Sequence, residues 1–82
     1  MPDGASVRIL AGMQTQIDIT LNGEARLVPA GQSMTGLIES LGLDRRKVAV
    51  ERNREIVPRS QYDATQLCDE DQIEIVHFIG GG

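Results

Sequence analysis

The chain has 82 residues, 12 acidic against 8 basic side chains for a formal charge of −4, and one Tyr, one Phe and no Trp. A chain this short forms one domain with a small core, which cannot enclose a large substrate pocket. The negative charge argues against a surface for nucleic acid or an anionic membrane, and the scarcity of aromatic residues argues against a stacking platform for single strands. We therefore expect protein or small-molecule partners, with no nucleic acid and no membrane.

The single cysteine, Cys68, excludes an intramolecular disulfide and favours a reducing compartment, so we expect a cytoplasmic protein. Residues 1–14 hold only a brief apolar stretch and an acid, Asp3, which does not fit a signal peptide or a membrane span. We interpret residues 1–14 as a flexible leader or alternative-start segment, 15–79 as the folded domain and 80–82 as a flexible glycine tail.

The domain begins with a pattern typical of a β-hairpin. Residues 16–21 alternate polar and apolar side chains, the period of a strand with one buried face. Asn22-Gly23 supplies the positive φ angles of a type I′ turn. A second alternating run follows, in which the apolar residues are Ala25 and Leu27.

A short amphipathic helix is predicted next. Ser33 can cap its start, and Gly42 can end it in the left-handed conformation, with Leu43 returning to contact the helix. Gly36 lowers helix propensity by about 1 kcal/mol relative to alanine, so it is either required for close packing or simply tolerated. The apolar stripe, at i, i+3, i+4 and i+7, consists of Met34, Leu37, Ile38 and Leu41.

The remaining residues are predicted to form a strand, a short strand, an irregular segment and a last strand. Tyr62 and Leu67, in the irregular segment, are expected to cover one end of the core. The order ββαββ, with one helix packed on one face of a mixed sheet, predicts an α+β fold of the β-grasp, ubiquitin-like type. The four segments are 47–51, 55–58, 59–71 and 72–78.

Three stretches of the sequence resemble the thiamine-biosynthesis sulfur-carrier family, the ThiS family. The resemblance covers about residues 16–82 and is most specific in Val57-Pro58-Arg59-Ser60 and in the glycine ending. The family commonly has Asn-Gly where this chain has Asn53-Arg54, so we expect a slightly altered turn there; it also commonly has an acid near the helix start, where Gly36 stands. The stretches are Ile19-Thr20-Leu21-Asn22-Gly23-Glu24, Val48 to Ser60, and Asp71 to Gly82.

The resemblance implies a carrier rather than an enzyme. The Gly82 carboxylate would be adenylated by an E1-like enzyme of the ThiF type, which uses ATP, while this chain binds no cofactor. A sulfur donor such as a cysteine desulfurase would supply the sulfur for a C-terminal thiocarboxylate. Thiazole synthase of the ThiG type would then use that sulfur to build the thiazole ring of thiamine.

The tail itself supports this interpretation. Gly80 and Gly81 have no side chains, so they can thread into a narrow cleft and present Gly82 to a nucleotide. Terminal glycines are often only disordered ends, but these directly follow an apolar strand without a polar spacer. Phe78 and Ile79, next to the tail, are candidates for partner docking as well as for core packing.

Other reactive residues are assigned structural roles. His77 is the only histidine and lacks a second ligand at metal spacing, so we expect a strand residue and no metal site. Cys68 has no partner for catalysis nearby and is expected to be partly buried. Asp69, Glu70 and Asp71 are expected to form a solvated turn. No catalytic residues are predicted.

Two alternatives remain at this point. The chain could be a sulfur carrier of another pathway, such as the small-subunit type of molybdopterin synthase, which shares the fold and the Gly-Gly end. It could also be a non-carrier ubiquitin-like interaction module. The string Pro58-Arg59-Ser60 favours the thiamine pathway.

Overall fold

The computed structural model describes residues 15–78; the predicted leader and residues 79–82 lie outside the described residues. Two short 3₁₀ turns, Arg45–Lys47 and Arg59–Gln61, lie outside the regular elements. The α+β class is confirmed, but the structure has five strands in the order ββαβββ, one more than the predicted ββαββ, because the predicted short segment 55–58 forms a strand of its own. The elements are β1 (Gln16–Leu21), β2 (Glu24–Pro29), α1 (Met34–Ser40), β3 (Val48–Arg52), β4 (Glu55–Val57) and β5 (Gln72–His77).

The strands form one mixed sheet in the order β2-β1-β5-β3-β4. β1 and β5, the first and last strands, are parallel neighbours, and the other neighbouring pairs are antiparallel. The apolar stripe of α1 packs on one face of this sheet. This confirms the predicted α+β architecture with one helix on one face. No helix between residues 15 and 78 is long and apolar enough to cross a membrane.

The first hairpin has the predicted turn but a different inward face. Asn22 and Gly23 have φ angles of 52° and 86°, as a type I′ turn requires. Ile17 pairs with Val28, which is the one buried residue of β2. The expected alternation was therefore one residue out of phase, because Leu27 lies on the opposite face and is 58% exposed.

Both predicted ends of α1 are confirmed. The Ser33 hydroxyl accepts a hydrogen bond from the Gly36 N–H at 3.0 Å, which caps the start. At the other end Gly42 has a φ of 74°, and the Leu43 N–H donates to the Ile38 carbonyl at 3.2 Å. This is a Schellman ending, and it stabilises a helix of seven residues that is too short to be stable alone.

The second hairpin turn also has two left-handed residues. Asn53 and Arg54 have φ angles of 52° and 70°, close to those of the first turn. Arg54 adopts this conformation at some steric cost, since it carries a Cβ where glycine would not. Replacing the usual glycine by Arg54 therefore leaves the φ angles of this turn close to those of the Asn22-Gly23 turn.

One core lies between α1 and the sheet. Tyr62 and Leu67 close it as predicted, and the Tyr62 hydroxyl donates to the Val48 carbonyl at 3.3 Å. Because that hydroxyl has a partner, the ring can be buried without leaving a polar group unsatisfied. The buried members are Ile17, Ile19, Val28, Met34, Leu37, Ile38, Val48, Val50, Tyr62, Leu67, Ile73 and Ile75.

Close packing explains the glycine within α1. A methyl group at Gly36 would lie 2.9 Å from Cγ of Gln32, closer than carbon atoms approach without a shift. The Gln32 side chain is itself confined, with its Oε1 atom buried and without a hydrogen-bond partner among the described residues. Gly36 is thus needed for the approach of Gln32 to the helix.

We expect Gly36→Ala to stabilise the protein fully only when Gln32 is also shortened. In a Gln32→Ala background the substitution should raise the free energy of unfolding by about 1 kcal/mol through helix propensity. In the unaltered chain the gain should be smaller, because Gln32 must move. Urea denaturation of the four chains of this double-mutant cycle measures the difference, and equal gains in both backgrounds would contradict the packing account.

Candidate functional site

The candidate site is built on β5, the strand that leads to the tail. β5 lies in the middle of the sheet, between β1 and β3. Ile73 and Ile75 are buried against α1, while their neighbours point to the other face. A central strand with alternating burial has a fixed register, since a slip of one residue would turn its apolar set to the wrong face.

Asn22 extends the support of β5 beyond the end of β1. Its side-chain oxygen accepts a hydrogen bond from the Ile75 N–H at 2.9 Å, and its Nδ2 donates to the Ile75 carbonyl at 3.3 Å. The amide group thereby takes the place of the next strand residue. The sequence identified Asn22 only as a turn former; this second role depends on a contact 53 positions along the chain, which no local pattern reveals.

The end of β5 lies beside the start of β3. The Phe78 N–H donates to the Lys47 carbonyl at 2.7 Å, and His77 pairs with Val48. His77 is an exposed strand residue, as predicted. Phe78 is 47% exposed, consistent with either docking or partial packing. The other predicted site residues, Ile79, Gly80, Gly81 and Gly82, lie outside the described residues.

Asp71 secures the beginning of β5 and is not the solvated residue that was predicted. It is only 5% exposed, and its carboxylate accepts hydrogen bonds from Arg52 Nε at 2.9 Å, Asn53 Nδ2 at 3.1 Å and the Cys68 N–H at 2.8 Å. The prediction failed because the three consecutive acids look alike in sequence. Asp69 and Glu70 are exposed, as expected.

The ionisation of Asp71 follows from these partners. Burial alone would raise the pKa of Asp71, but the hydrogen bonds from Cys68, Arg52 and Asn53, with the charge of Arg52, outweigh burial and hold the pKa below its usual value. The same carboxylate raises the pKa of Arg52. Both groups are therefore charged at neutral pH, which stabilises the junction of the β3–β4 turn with β5.

Cys68 was expected to be partly buried, and this is wrong. Its thiol is exposed, with Sγ 3.4 Å from the Arg52 guanidinium. The backbone of Cys68, rather than its sulfur, has the structural role, because its N–H reaches Asp71. Among residues 15–78 no three His, Cys, Asp or Glu side chains are grouped so that they could hold a metal ion.

Sequence reasoning missed an apolar area on the face of the sheet opposite α1. Val76 is 60% exposed and Ile56 is 77% exposed, and Ala49 pairs with Val76 between them. One signal was present: Ile75-Val76 breaks the alternation of β5 and so places apolar side chains on both faces. The face itself could not be assigned without the register of β3 and β4.

Contacts from three parts of the fold hold β5 in place. β5 is held at its start by Asp71, in its middle by Asn22 and at its end by the Lys47 carbonyl.

Comparison with known proteins gives a consistent result. The sequence model of the ThiS family matches residues 14–82. Thiazole synthase of Magnetococcus marinus is 53% identical over 64 residues, which are 78% of this chain and 20% of that protein. Sulfur carrier protein ThiS of Bacillus subtilis is 52% identical over 46 residues, 56% of this chain and 70% of that protein. This chain thus spans about a fifth of the length of the thiazole synthase relative.

A solved structure shares the fold. The crystal structure of the thiamine biosynthesis protein ThiS from Geobacter metallireducens superimposes with a TM-score of 0.69 and 33% identity, covering 80% of this chain and all of that one. The β-grasp fold predicted from element order is therefore confirmed.

We expect Asp71→Asn to lower the free energy of unfolding by about 1–3 kcal/mol at pH 7, because an amide cannot accept all the donors that the carboxylate satisfies. The lowered folded-state pKa of Asp71 means that its contribution is full at neutral pH and is lost as the pH falls below about 4. Urea denaturation from pH 7 to pH 2.5 should show a flatter acid dependence in the variant.

The exposed Asp18 provides the control, and Asp18→Asn should change stability by less than about 0.5 kcal/mol. An Asp71→Asn variant as stable as the unaltered chain at pH 7 would show that the network does not hold β5.

Proposed function

This chain belongs to the ThiS family, and on that premise we propose that it is a sulfur carrier of thiamine biosynthesis with the Gly82 carboxylate as its working group. The family match to residues 14–82, which includes the whole tail, is the observation that carries the proposal. The position of β5 supports it, because this central strand ends at His77 and the Phe78 N–H is bonded to the Lys47 carbonyl, immediately before the tail in sequence.

The proposed chemistry begins with activation of an unreactive acyl group. A carboxylate has a poor leaving oxygen, so an E1-like adenylating enzyme of the ThiF type would join Gly82 to AMP from ATP, with pyrophosphate leaving. A donor such as a cysteine desulfurase carries its sulfur as a persulfide, which a thiol reductant would cleave to release sulfide while the thiol is oxidised to a disulfide. The sulfide would attack the carbonyl carbon and displace AMP. The product is a thiocarboxylate, which is a soft nucleophile. ATP serves the partner enzyme, and no cofactor is assigned to this chain.

Thiazole synthase of the ThiG type is the proposed acceptor of the sulfur. A protein named thiazole synthase contains a region 53% identical to 64 residues of this chain, as a fifth of its length. Because that region belongs to the same polypeptide as the protein named a synthase, its presence supports direct binding between a carrier of this type and such a synthase. Gly80 and Gly81 would let the tail enter such a partner, with Phe78 and Ile79 at the entrance.

We expect sulfur loading to depend on the position of the C-terminal carboxylate. Incubation with the adenylating enzyme, ATP and a sulfur donor should increase the intact mass by one sulfur-for-oxygen exchange, located on the C-terminal peptide. Removing Gly82, or adding one alanine after it, should abolish the exchange without changing the thermal melt, since β5 ends at His77. An alanine added before Met1 is the matched control and should load normally.

An unchanged mass with a competent partner would overturn the carrier function. A melt lowered by loss of Gly82 would instead show that the tail is structural.

Deletion of the gene tests the pathway. We expect a growth requirement that thiazole or thiamine satisfies, and that the intact gene relieves but a copy lacking the Gly82 codon does not. A defect in molybdenum enzymes without a thiazole requirement would assign the chain to the molybdopterin synthase type of carrier. Growth rescued equally well without the tail would favour a non-carrier interaction module.

A further inference from the structure

The face of the sheet opposite α1 is acidic and partly apolar. On the described strands its acidic side chains are Asp18, Glu51 and Glu74, and it carries no lysine or arginine. The basic residues of the same strands, Arg26 and Arg52, alternate to the helix side. This face therefore differs in charge from the rest of the sheet.

Glu51 and Glu74 form its centre. They lie directly opposite each other on β3 and β5, and both are exposed. Directly opposite residues have Cβ atoms about 4.5–5.5 Å apart, so like charges at such positions repel. No ion pair within residues 15–78 compensates either carboxylate. Among the described residues the repulsion between these two carboxylates is thus uncompensated.

Apolar side chains surround the carboxylate pair. Ile56 is opposite Glu51 on β4, and Val76 follows Glu74 by two positions on β5, paired with Ala49. Together they line a shallow cavity of about 120 Å³, with apolar walls and the two carboxylates among its lining residues. Exposure of Ile56 and Val76 to water is unfavourable, and so is the repulsion between Glu51 and Glu74. A single partner surface that covered all four residues could relieve both.

We infer that this face docks a protein surface presenting an arginine surrounded by apolar side chains, with the guanidinium on the Glu51–Glu74 pair. A guanidinium is planar and can donate to two carboxylates at once, and it tolerates partial desolvation better than an ammonium group. The apolar rim of the partner covers Ala49, Ile56 and Val76. Charge complementarity and the cavity select this occupant over a purely apolar one.

The docking face includes part of β5, the strand that precedes the tail in sequence, and the inference rests on the proposed function for its partner. Val76 lies on β5, two residues before Phe78, the last described residue. We take the protein that holds the tail in its active site as the partner of this face, because β5 both contributes to the face and leads to the tail in sequence. The adenylating enzyme is the probe, because its reaction gives a direct readout of encounter.

The test compares Glu51→Gln/Glu74→Gln with the unaltered chain in the sulfur-loading reaction. At low salt the double variant should need roughly tenfold more carrier for half-maximal rate, with the maximal rate unchanged, because one charged contact has been lost. Raising the salt concentration should increase the half-maximal concentration of the unaltered chain towards that of the double variant, because salt screens the attraction between the carboxylates and the guanidinium. The thermal midpoint of the double variant should equal or exceed that of the unaltered chain, because the repulsion between the two carboxylates is relieved.

Two further variants separate charge from structure. Glu24→Gln/Glu39→Gln makes the same change in net charge at exposed positions on β2 and α1 and should leave the half-maximal concentration unchanged. Ile56→Thr keeps the branched shape but removes apolar area; it should raise the half-maximal concentration without altering the salt dependence.

Each remaining outcome is decisive. An unchanged half-maximal concentration for the Glu51/Glu74 variant, while the unaltered chain loads sulfur, would overturn this inference alone. Dimerisation of the unaltered chain that the same variant abolishes would assign the face to a second copy and also overturn it. Failure of the unaltered chain to load would overturn the proposed function, and this inference with it.

Discussion

Parallel pairing between β1 and β5 is the constraint on which the structure depends. It joins strands from opposite ends of the sequence, so no short turn can hold them together and the contacts must be made across the fold. Asn22 bonds the middle of β5 from the end of β1, while Asp71 and the Lys47 carbonyl tie the two ends of β5 to the β3–β4 turn and to the start of β3. Asn22 and the Lys47 carbonyl bond backbone groups of residues 75 and 78, and Asp71 acts through its own side chain; together these contacts fix the register of the strand.

The two faces of this sheet differ in burial: one is covered by α1, and the other is exposed. The helix side contains the core, and its residues are replaceable only by others of similar volume. The opposite side contributes little to the core, and on it the carboxylates of Glu51 and Glu74 lie opposite each other beside exposed apolar residues. The proposed function requires partner enzymes to recognise the domain, and exposed apolar and charged groups on this side are available for that recognition.

Local signals predicted the elements well. Asn22-Gly23, Ser33 and Gly42 act within a few residues of their positions, so their turn and helix ends could be identified from the sequence alone. The phase of β2 could not, because Leu27 and Val28 are both apolar and only pairing with Ile17 decides between them.

The same distinction applies to the site. Resemblance to a family identified the tail, whereas the roles of Asp71 and Asn22 arise from partners far along the chain. Asp71 could not be told from its acidic neighbours, since what separates it is a set of donors from the β3–β4 turn and the adjacent loop. The sequence cannot show whether Gly36 is required or only tolerated, because that depends on the position of the Gln32 side chain.

The direction of β1 has a practical consequence. Gln72 is level with Thr20, four residues after Gln16, and Phe78 is six residues further along the same direction. At about 3.3 Å per residue, the entry to β1 and the exit from β5 are roughly 30 Å apart, at opposite ends of the sheet. A tether, dye or immobilisation tag joined directly ahead of β1 is therefore remote from the end of β5, which makes that position suitable for attaching the domain to a support when the proposed function is tested.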